Sequence, residues 1–556
     1  MKDNEGKKIS RRDFLKYVGM GSATLSLSLS SLNSFEAFGQ NQVVLRQATP
    51  QGDFGPLDPQ LATTGYANKA NFPVFNGLVR MPLGEVTISP DGVEPDLCKD
   101  WEVSSSKREY TFHLREGVKW HHGYGEFTAE DVKFTFDRIR DPSLGSPWGN
   151  RYEGWDVEEV DDYTVKITVP EYDPTLFAKL INYQGGLIAC KDAVDDMGRD
   201  QYNFAPVGTG PYYIETHKRG DRIVHKPFDE HFRWESGEVE RTNIDRFDSI
   251  VTGGTEGLFS GAWSGRYHLV NVTADYRMVN KQVKAHDLEL MKFGAPLWSE
   301  WYPNTQMPPF DQLKVRQAVA HAINPKEVAA FFDEGTGVAY PSNAAWEAKG
   351  VRQDDYPDMP ISGFRGGLDL KESVYPYNPE KARKLLAEAG YPDGFDAGEL
   401  IVLQGGTMEP PPKVIQQQLK KVGIEFNISL RDWVGFIEAQ RQGRNPMSYY
   451  HCSRFPDSWF YLKEFLQSDA PNNFAQWSND KFDSLLAKSA KERDLEKRTE
   501  MLQEAQMIAL EEAVVIPLYR WFMPAIRNPH VDLGYEPKPG GLVDGPFVTE
   551  TTRWKE

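Results

Sequence analysis

The chain has 556 residues, 40% apolar and 26% charged, so it has material for several packed units and is too apolar for wholesale disorder. A formal charge of −18 repels phosphate backbones and anionic lipid, which sets nucleic-acid binding and membrane-surface docking aside. The 14 Trp, 24 Tyr and 31 Phe supply core and also the flat rings that suit a large ligand cleft.

Residues 1–39 read as an export signal, separate from the fold. Lys7, Lys8, Arg11 and Arg12 form a basic head, and Ser10-Arg11-Arg12-Asp13-Phe14-Leu15-Lys16 is similar to the twin-arginine signal. The mildly apolar stretch 17–32 is too short and too polar for a membrane anchor. Ala37 and Gly39 place cleavage near Gly39/Gln40, leaving a mature chain of charge −20. No cysteine follows the apolar stretch, so no lipid anchor is expected. The expected location is the periplasm, reached by the twin-arginine route.

Residues 43–47 read as a strand, followed by a Pro/Gly-rich loop over 50–56. Tyr110, Phe112 and Leu114 alternate with polar residues, as do Val165, Ile167 and Val169, which predicts two strands. Between them Thr128-Ala129-Glu130-Asp131 caps a helix running to about Arg138. A glycine-rich turn at 206–211 precedes a strand at 212–214, and 240–300 shows short strands with little helical periodicity. From Asp311 the period changes: Val315, Ala318, Val319, Ala322 and Ile323 fall at helical spacing. Asn378-Pro379 opens a helix with the apolar face Ala382, Leu385, Leu386 and Ala389, ended by Gly390. A helix at 414–422, a strand at 424–428, a charged helical stretch at 480–512 and a strand at 514–519 follow. Interleaved strands and helices place the chain in the α/β class. Cys98, Cys190 and Cys452 make no disulfide framework and no zinc spacing; one bridge at most can form, with Cys98–Cys190 one option.

Several punctuation marks recur in a fixed order. They are Leu57-Asp58-Pro59 with Phe75-Asn76-Gly77-Leu78, then Trp120-His121 through Gly123 to Phe127-Thr128-Ala129-Glu130-Asp131-Val132. Next come Val207-Gly208-Thr209-Gly210-Pro211-Tyr212, Val315-Arg316-Gln317-Ala318-Val319-Ala320-His321-Ala322-Ile323, and Asn378-Pro379-Glu380-Lys381-Ala382 through Leu385-Leu386 to Gly390-Tyr391-Pro392. Together they resemble the extracellular solute-binding family 5, the oligopeptide-, dipeptide- and nickel-type periplasmic receptors of ABC importers. The resemblance implies a two-lobed periplasmic-binding-protein clamshell with an additional domain inserted in the first lobe. The first lobe would comprise 42–78, 205–300 and 516–556, the extra domain 79–204, and the second lobe 301–515. Hinges would lie near 297–304 and 515–519. A ligand touching both lobes favours the closed state, whose shape a membrane permease reads. The resemblance thus implies a monomer that performs no chemistry and needs no cofactor, partnered by its ligand and a permease.

In peptide-binding members of that family, a Trp-x-x-Asp-Tyr-Pro-Asp-Pro motif presents its first Asp to the peptide's ammonium group. The matching stretch here is His451-Cys452-Ser453-Arg454-Phe455-Pro456-Asp457-Ser458. His451 stands at the Trp position and Arg454 at the Asp position. A guanidinium repels an ammonium but pairs bidentately with carboxylate or phosphate. Asp457 stands three residues on and could replace the lost partner. Gln51 and Asp53 lie in the loop where the family sets backbone against ligand. Trp298 and Trp301 near the first hinge, and Trp459, Phe460 and Tyr461, could stack on a ligand and suit the core equally well. The predicted ligand-binding set is therefore Gln51, Asp53, Trp298, His451, Arg454, Asp457 and Trp459, with no catalytic residue and no metal ligand. His121 and His122 would point to opposite faces of a strand and so cannot easily share an ion. Gly208-Thr209-Gly210 lacks the rest of a nucleotide loop and reads as a tight turn.

Peptide is the default ligand. Arg454 brings an oligosaccharide, an opine or another anionic conjugate into competition, and a metal or metallophore is a more distant alternative. The rival class is a secreted hydrolase, which no GxSxG, HExxH or paired-carboxylate motif supports.

Overall fold

The computed structural model describes residues 42–50, 52–84, 92–181, 185–271, 276–329, 337–339, 373–404, 408–452, 458–470, 472–536, 545 and 547–556. In chain order the elements that matter here begin with β1 (Val44–Thr49), α1 (Gly65–Asn71), β2 (Cys98–Val103), β3 (Glu109–Leu114) and α2 (Ala129–Arg140). They continue through β4 (Asp156–Asp161), β5 (Thr164–Thr168), α3 (Leu176–Leu180), α4 (Lys191–Phe204), β6 (Tyr212–Lys218), β7 (Arg222–Pro227) and β8 (Arg246–Val251). Then come α5 (Thr255–Trp263), β9 (Leu269–Asn271), α6 (Tyr276–Ala285), β10 (Glu289–Pro303), α7 (Leu313–Ala322), β11 (Gly337–Ala339), α8 (Pro379–Glu388), β12 (Phe395–Leu403), α9 (Pro410–Lys420) and β13 (Ile424–Arg431). The last are α10 (Trp433–Arg441), β14 (Met447–Cys452), α11 (Ser458–Phe465), α12 (Asp480–Ser489), α13 (Leu495–Glu511) and β15 (Ile516–Arg527).

A nine-stranded sheet runs in the order β14-β10-β15-β9-β1-β8-β7-β6, with β11 added on β15. Its long strands β10 and β15 pair antiparallel, with register shifts between Phe293 and Leu297 and between Ser299 and Glu300. One end of the pair is anchored by Leu290 and Ile526, which pack with Ala48, Val270 and Leu258. The other end is anchored by Trp301, Ile516 and Tyr519, which pack with Ala318, Leu400 and Ile424. Each long strand therefore has one end in each of two separate cores, and an irregular stretch between them bends the ladder. The antiparallel sheet β2-β3-β5-β4 forms its own core with α2 through Phe112, Leu114, Val132, Phe136, Val165 and Ile167. On the far side, the parallel pair β12–β13 packs with α7 and α9 through Val319, Leu400, Ile415, Leu419 and Ile424.

Most of the punctuation marks turn out to be joints. Asp58 accepts from Gln60 N at 3.0 Å and from both terminal nitrogens of Arg138 on α2, tying the 57–62 loop to the inserted sheet and its helix. Asp96 accepts from Asn76 Nδ2 at 3.0 Å, Gly77 N at 3.1 Å and Arg233 Nη2 at 3.1 Å. Asp131 accepts from Thr128 N, Lys191 N and Trp120 Nε1, so the helix cap is also a tie to α4. A Cβ on Gly208 would meet Val74 O at 1.9 Å, and one on Gly210 would meet Pro73 O at 2.5 Å, so only glycine allows this turn to close on the 73–75 backbone. Beyond the crossing strands, Arg316 Nη1 donates to Phe310 O and Asp311 O, and its Nε donates to Glu512 O. Asn378 caps α8 by accepting from Lys381 N at 2.9 Å, with Pro379 in the first turn.

The structure corrects the sequence reading in two places, at 240–300 and at the histidine pair, and sharpens it in two more, at 480–512 and at the cysteines. The region 240–300 contains two helices, α5 and α6, and the long β10 rather than short strands alone. Helix α5 hid because it is apolar on most sides and carries two glycines, so no amphipathic stripe marks it. The charged stretch 480–512 is two helices, broken between Ser489 and Leu495, with Asp494 capping the second. His121 and His122 lie in a one-turn helix rather than a strand, and His122 has φ +60°. His121 is buried there: Nδ1 accepts from Gly208 N and Nε2 donates to Gly210 O at 2.8 Å, and burial pushes its pKa down to about 3. Fourth, Cys98 and Cys190 are both free thiols, and burial pushes each up to about 12.

Candidate ligand-binding site

The predicted contacts fall into two groups, one from each side of the crossing strands. On the first-lobe side, Asp53 follows the end of β1; it is exposed, and its Oδ1 accepts from Phe54 N at 2.8 Å. Gln51 lies outside the described residues. On the second-lobe side, Trp298 of β10 pairs with Cys452 of β14, and Ser299 pairs with His451. Trp298 and His451 thus stand on successive rungs of the ladder at the carboxyl end of β14. The stretch bearing Arg454 and Asp457 starts there and lies outside the described residues; α11 begins immediately after it at Ser458.

Trp459 is half-buried on α11. Its Nε1 donates to Leu486 O at 3.1 Å, and Lys463 Nζ lies 4.6 Å from the ring centre. Two further aromatics of the sequence reading are core residues. Trp301 is fully enclosed, and Tyr461 is buried with its hydroxyl donating to Glu300 Oε2 at 2.6 Å. Glu300 on β10 also accepts from Tyr302, which fixes α11 against the crossing strand.

Helix α11 also touches the inserted sheet region. The Arg151 guanidinium stands 4.5 Å from the Trp148 ring and 5.9 Å from the Phe460 ring. Just past α12, Lys491 pairs with Glu171 at 2.8 Å. Burial lowers the Lys463 pKa, and repulsion from Lys179 lowers it further. Burial raises the Glu464 pKa, partly offset by Arg151. Charges from two folding units therefore sense one another across this boundary.

One exposed ring escaped the sequence reading. Trp433 opens α10 and is 53% exposed, although Phe436, one turn on, is fully buried and stacks on Tyr450 of β14. Its signal was an unpaired-looking Trp directly after a capping Asp: Asp432 Oδ1 accepts from Gly435 N at 2.9 Å. Among the described residues no group of three or more His, Cys, Asp or Glu side chains is placed to hold a metal ion.

The model of the bacterial extracellular solute-binding proteins, family 5 Middle, matches residues 92–473. The chain belongs to this family. Family-5 solute-binding proteins are periplasmic ligand-capturing components of ABC importers, and this solute-binding protein is one of them. It is 28% identical over 532 residues to a protein of Haemophilus influenzae named heme-binding protein A, covering 88% of this chain and 90% of that one. It is 26% identical to the dipeptide-binding protein of Escherichia coli, covering 90% and 92%. Among solved structures, the binding protein MoaA of A. tumefaciens R10 in complex with mannopinic acid superposes with a TM-score of 0.78 at 27% identity, over 93% of this chain and all of that one. That likeness establishes the two-lobed α/β architecture of this solute-binding protein.

Proposed function

We propose that this protein holds a small, amino-acid-containing ligand, a peptide in the first instance, between two lobes and hands it to a membrane permease without chemical change. The first lobe is assigned to 42–78, 205–300 and 516–556, the inserted domain to 79–204 and the second lobe to 301–515. The observation that carries this reading is the course of β10 and β15, each with one end in each core. Two crossing strands form a natural hinge, and a ligand bridging the lobes shifts the population toward the closed form. His451 ends β14 beside that crossing, and Asp53 follows β1 on the other lobe, so both positions suit ligand contact. Export by the twin-arginine route and a monomeric state belong to the same proposal.

A second reading is favoured by one residue. Arg454 in place of an ammonium-binding Asp suits a carboxylate-bearing conjugate of the opine kind. The experiment is to purify the exported protein natively, denature it, and identify what is released by mass spectrometry. Released peptides with free N-termini support the first reading, and acidic conjugates support the second. Arg454→Asp separates them further. If Arg454 pairs with a buried ligand carboxylate, the substitution weakens binding by about 2–5 kcal/mol, and unchanged affinity removes Arg454 from the site.

A further inference from the structure

The boundary between α11 and the region of the four-stranded sheet is crossed by a run of alternating rings and cations. The Arg151 guanidinium lies 4.5 Å from the Trp148 ring centre on one side and 5.9 Å from that of Phe460, on α11, on the other. Phe460 meets Trp459 edge to face at 5.4 Å, and Lys463 Nζ stands 4.6 Å from the Trp459 ring. Both ends of this run are fixed. Trp148 Nε1 donates to Ala62 O at 3.2 Å. The one-turn helix Gly149–Tyr152 that carries Arg151 is held by Tyr152, whose hydroxyl donates to Lys179 O at 2.9 Å. At the other end, Trp459 Nε1 donates to Leu486 O of α12, and Tyr461 is tied to Glu300 on β10. The step from Arg151 to Phe460 is therefore the link between two anchored halves.

The link is built to come apart. Among the described residues, the apolar core holding Tyr152, Trp155 and Phe177 shares no member with the core holding Tyr461, Phe465 and Leu502. No common core therefore seals the boundary, and interfaces of that kind move. Charged groups also meet across it. Lys491 pairs with Glu171 at 2.8 Å, with both side chains exposed. Lys179 pairs with Asp173 on its own side and repels Lys463 on the other. Exposed ion pairs are screened and worth little, and a like-charge pair works against contact. A guanidinium between two rings differs from both. It is weakly hydrated, keeps its charge, and gains attraction at each flat face. Glu464, one turn on from Phe460, attracts the same guanidinium. Neither Arg151 nor Phe460 belongs to the predicted ligand-binding set.

We propose that Arg151 is the clasp of the closed form: it stacks on Trp148 and Phe460 at once, holds the two sides together before any ligand arrives, and so sets the open–closed balance without touching ligand. The proposal rests on the receptor reading above and deepens it, giving the 79–204 region control of closure. Loss of the clasp lowers the fraction of binding-competent protein, so every ligand is weakened by the same factor and selectivity is kept. The test needs no ligand. Nitroxide labels are attached through p-acetylphenylalanine at the exposed positions Glu159 and Lys488. Pulsed electron spin resonance then measures their separation in the ligand-free protein, in Arg151→Ala and in Phe460→Leu, and the thermal midpoint of each is recorded. Arg151→Lys, which keeps the charge and loses the flat face, replaces Arg151→Ala if the latter does not fold. The parent is expected to show a short and a long separation. Each variant is expected to lower the short-to-long ratio by about fivefold while keeping its midpoint. A ratio unchanged in either variant, whatever its midpoint, overturns the clasp and leaves the receptor reading standing. A parent with the long separation alone does the same. The short separation alone in all three proteins removes the hinge, and with it the receptor reading itself.

Discussion

Two polar interiors in this protein are built on opposite principles. At the joint where the four-stranded sheet and α2 meet the 57–62 and 76–77 segments, the Asp58 and Asp96 carboxylates are surrounded by donors: Arg138 and Gln60 for one, Asn76, Gly77 and Arg233 for the other. Under α1, Gln47 Nε2, Thr49 Oγ1, Ser249 Oγ and Asn271 Oδ1 are buried without a hydrogen-bond partner, while Asn271 Nδ2 donates to Gly545 O at 3.2 Å. A satisfied buried network rigidifies, and its pieces cannot be removed singly without stranding a charge. In an unsatisfied layer a hydroxyl can be removed without stranding a partner. The contrast separates carboxylates that hold the fold together from buried hydroxyls that hold nothing else in place.

The largest expected effect comes from pH and tests the enclosed histidines of both regions. Burial holds His121 and His231 at about 3 and His225 and His268 at about 4. The unfolded chain therefore takes up protons below its ordinary histidine value while the folded chain does not, so stability falls as pH drops from about 6 to about 4. The slope is on the order of 1 kcal/mol per pH unit for each histidine. Asp131 works the other way: burial raises it to about 6, so the folded form gains a proton there and recovers part of the loss. Denaturant midpoints measured from pH 7 to 4.5 should fall steadily; a flat profile would mean these rings are not neutral and enclosed.

Next in size is Asp96→Ala. Removing a carboxylate that serves a buried Arg233 should cost about 3–5 kcal/mol, read as a lower denaturant midpoint. If Asp96→Ala costs no more than a surface change, the joint is not what holds the inserted domain. On the other side of the comparison, Thr49→Val and Ser249→Ala each relieve an unbonded buried hydroxyl. Their stability should stay within about 1 kcal/mol of the parent, or rise, because no partner is lost. A large loss from either would place the layer among the structural networks. The smallest effect is expected at the boundary of α12 with the inserted domain. Glu171→Ala removes an exposed pair with Lys491 and should weaken ligand binding by about 0–1 kcal/mol, and less at high salt. An effect well above that range would make this contact a principal stabiliser of the closed form.

Much of the joint was legible in the sequence because joints demand rare residue types at fixed positions. Gly208 and Gly210 are needed where a Cβ would strike the 73–74 carbonyls, Asn378-Pro379 is a helix-cap signature, and Asp131 closes the start of α2. The same marks revealed little about the ligand, since Asp58, Trp120 and Arg316 all bind protein rather than cleft. Helix α5 was illegible because periodicity fails when nearly every side is apolar. Trp301 and Tyr461 could not be assigned from sequence, because an aromatic beside a hinge reads the same whether it faces core or cleft.

By itself the sequence determined the α/β class, most element positions and the family, because hydrophobic period, caps and glycine turns are local and survive in one dimension. Which polar residues lack partners was decided only by tertiary structure. Gln47, Thr49, Ser249 and Asn271 come from three strands spread over more than 200 residues of chain, and only sheet register and the packing of α1 bring them to one face. Hydrogen-bond satisfaction belongs to the assembled interior, and no residue carries it alone.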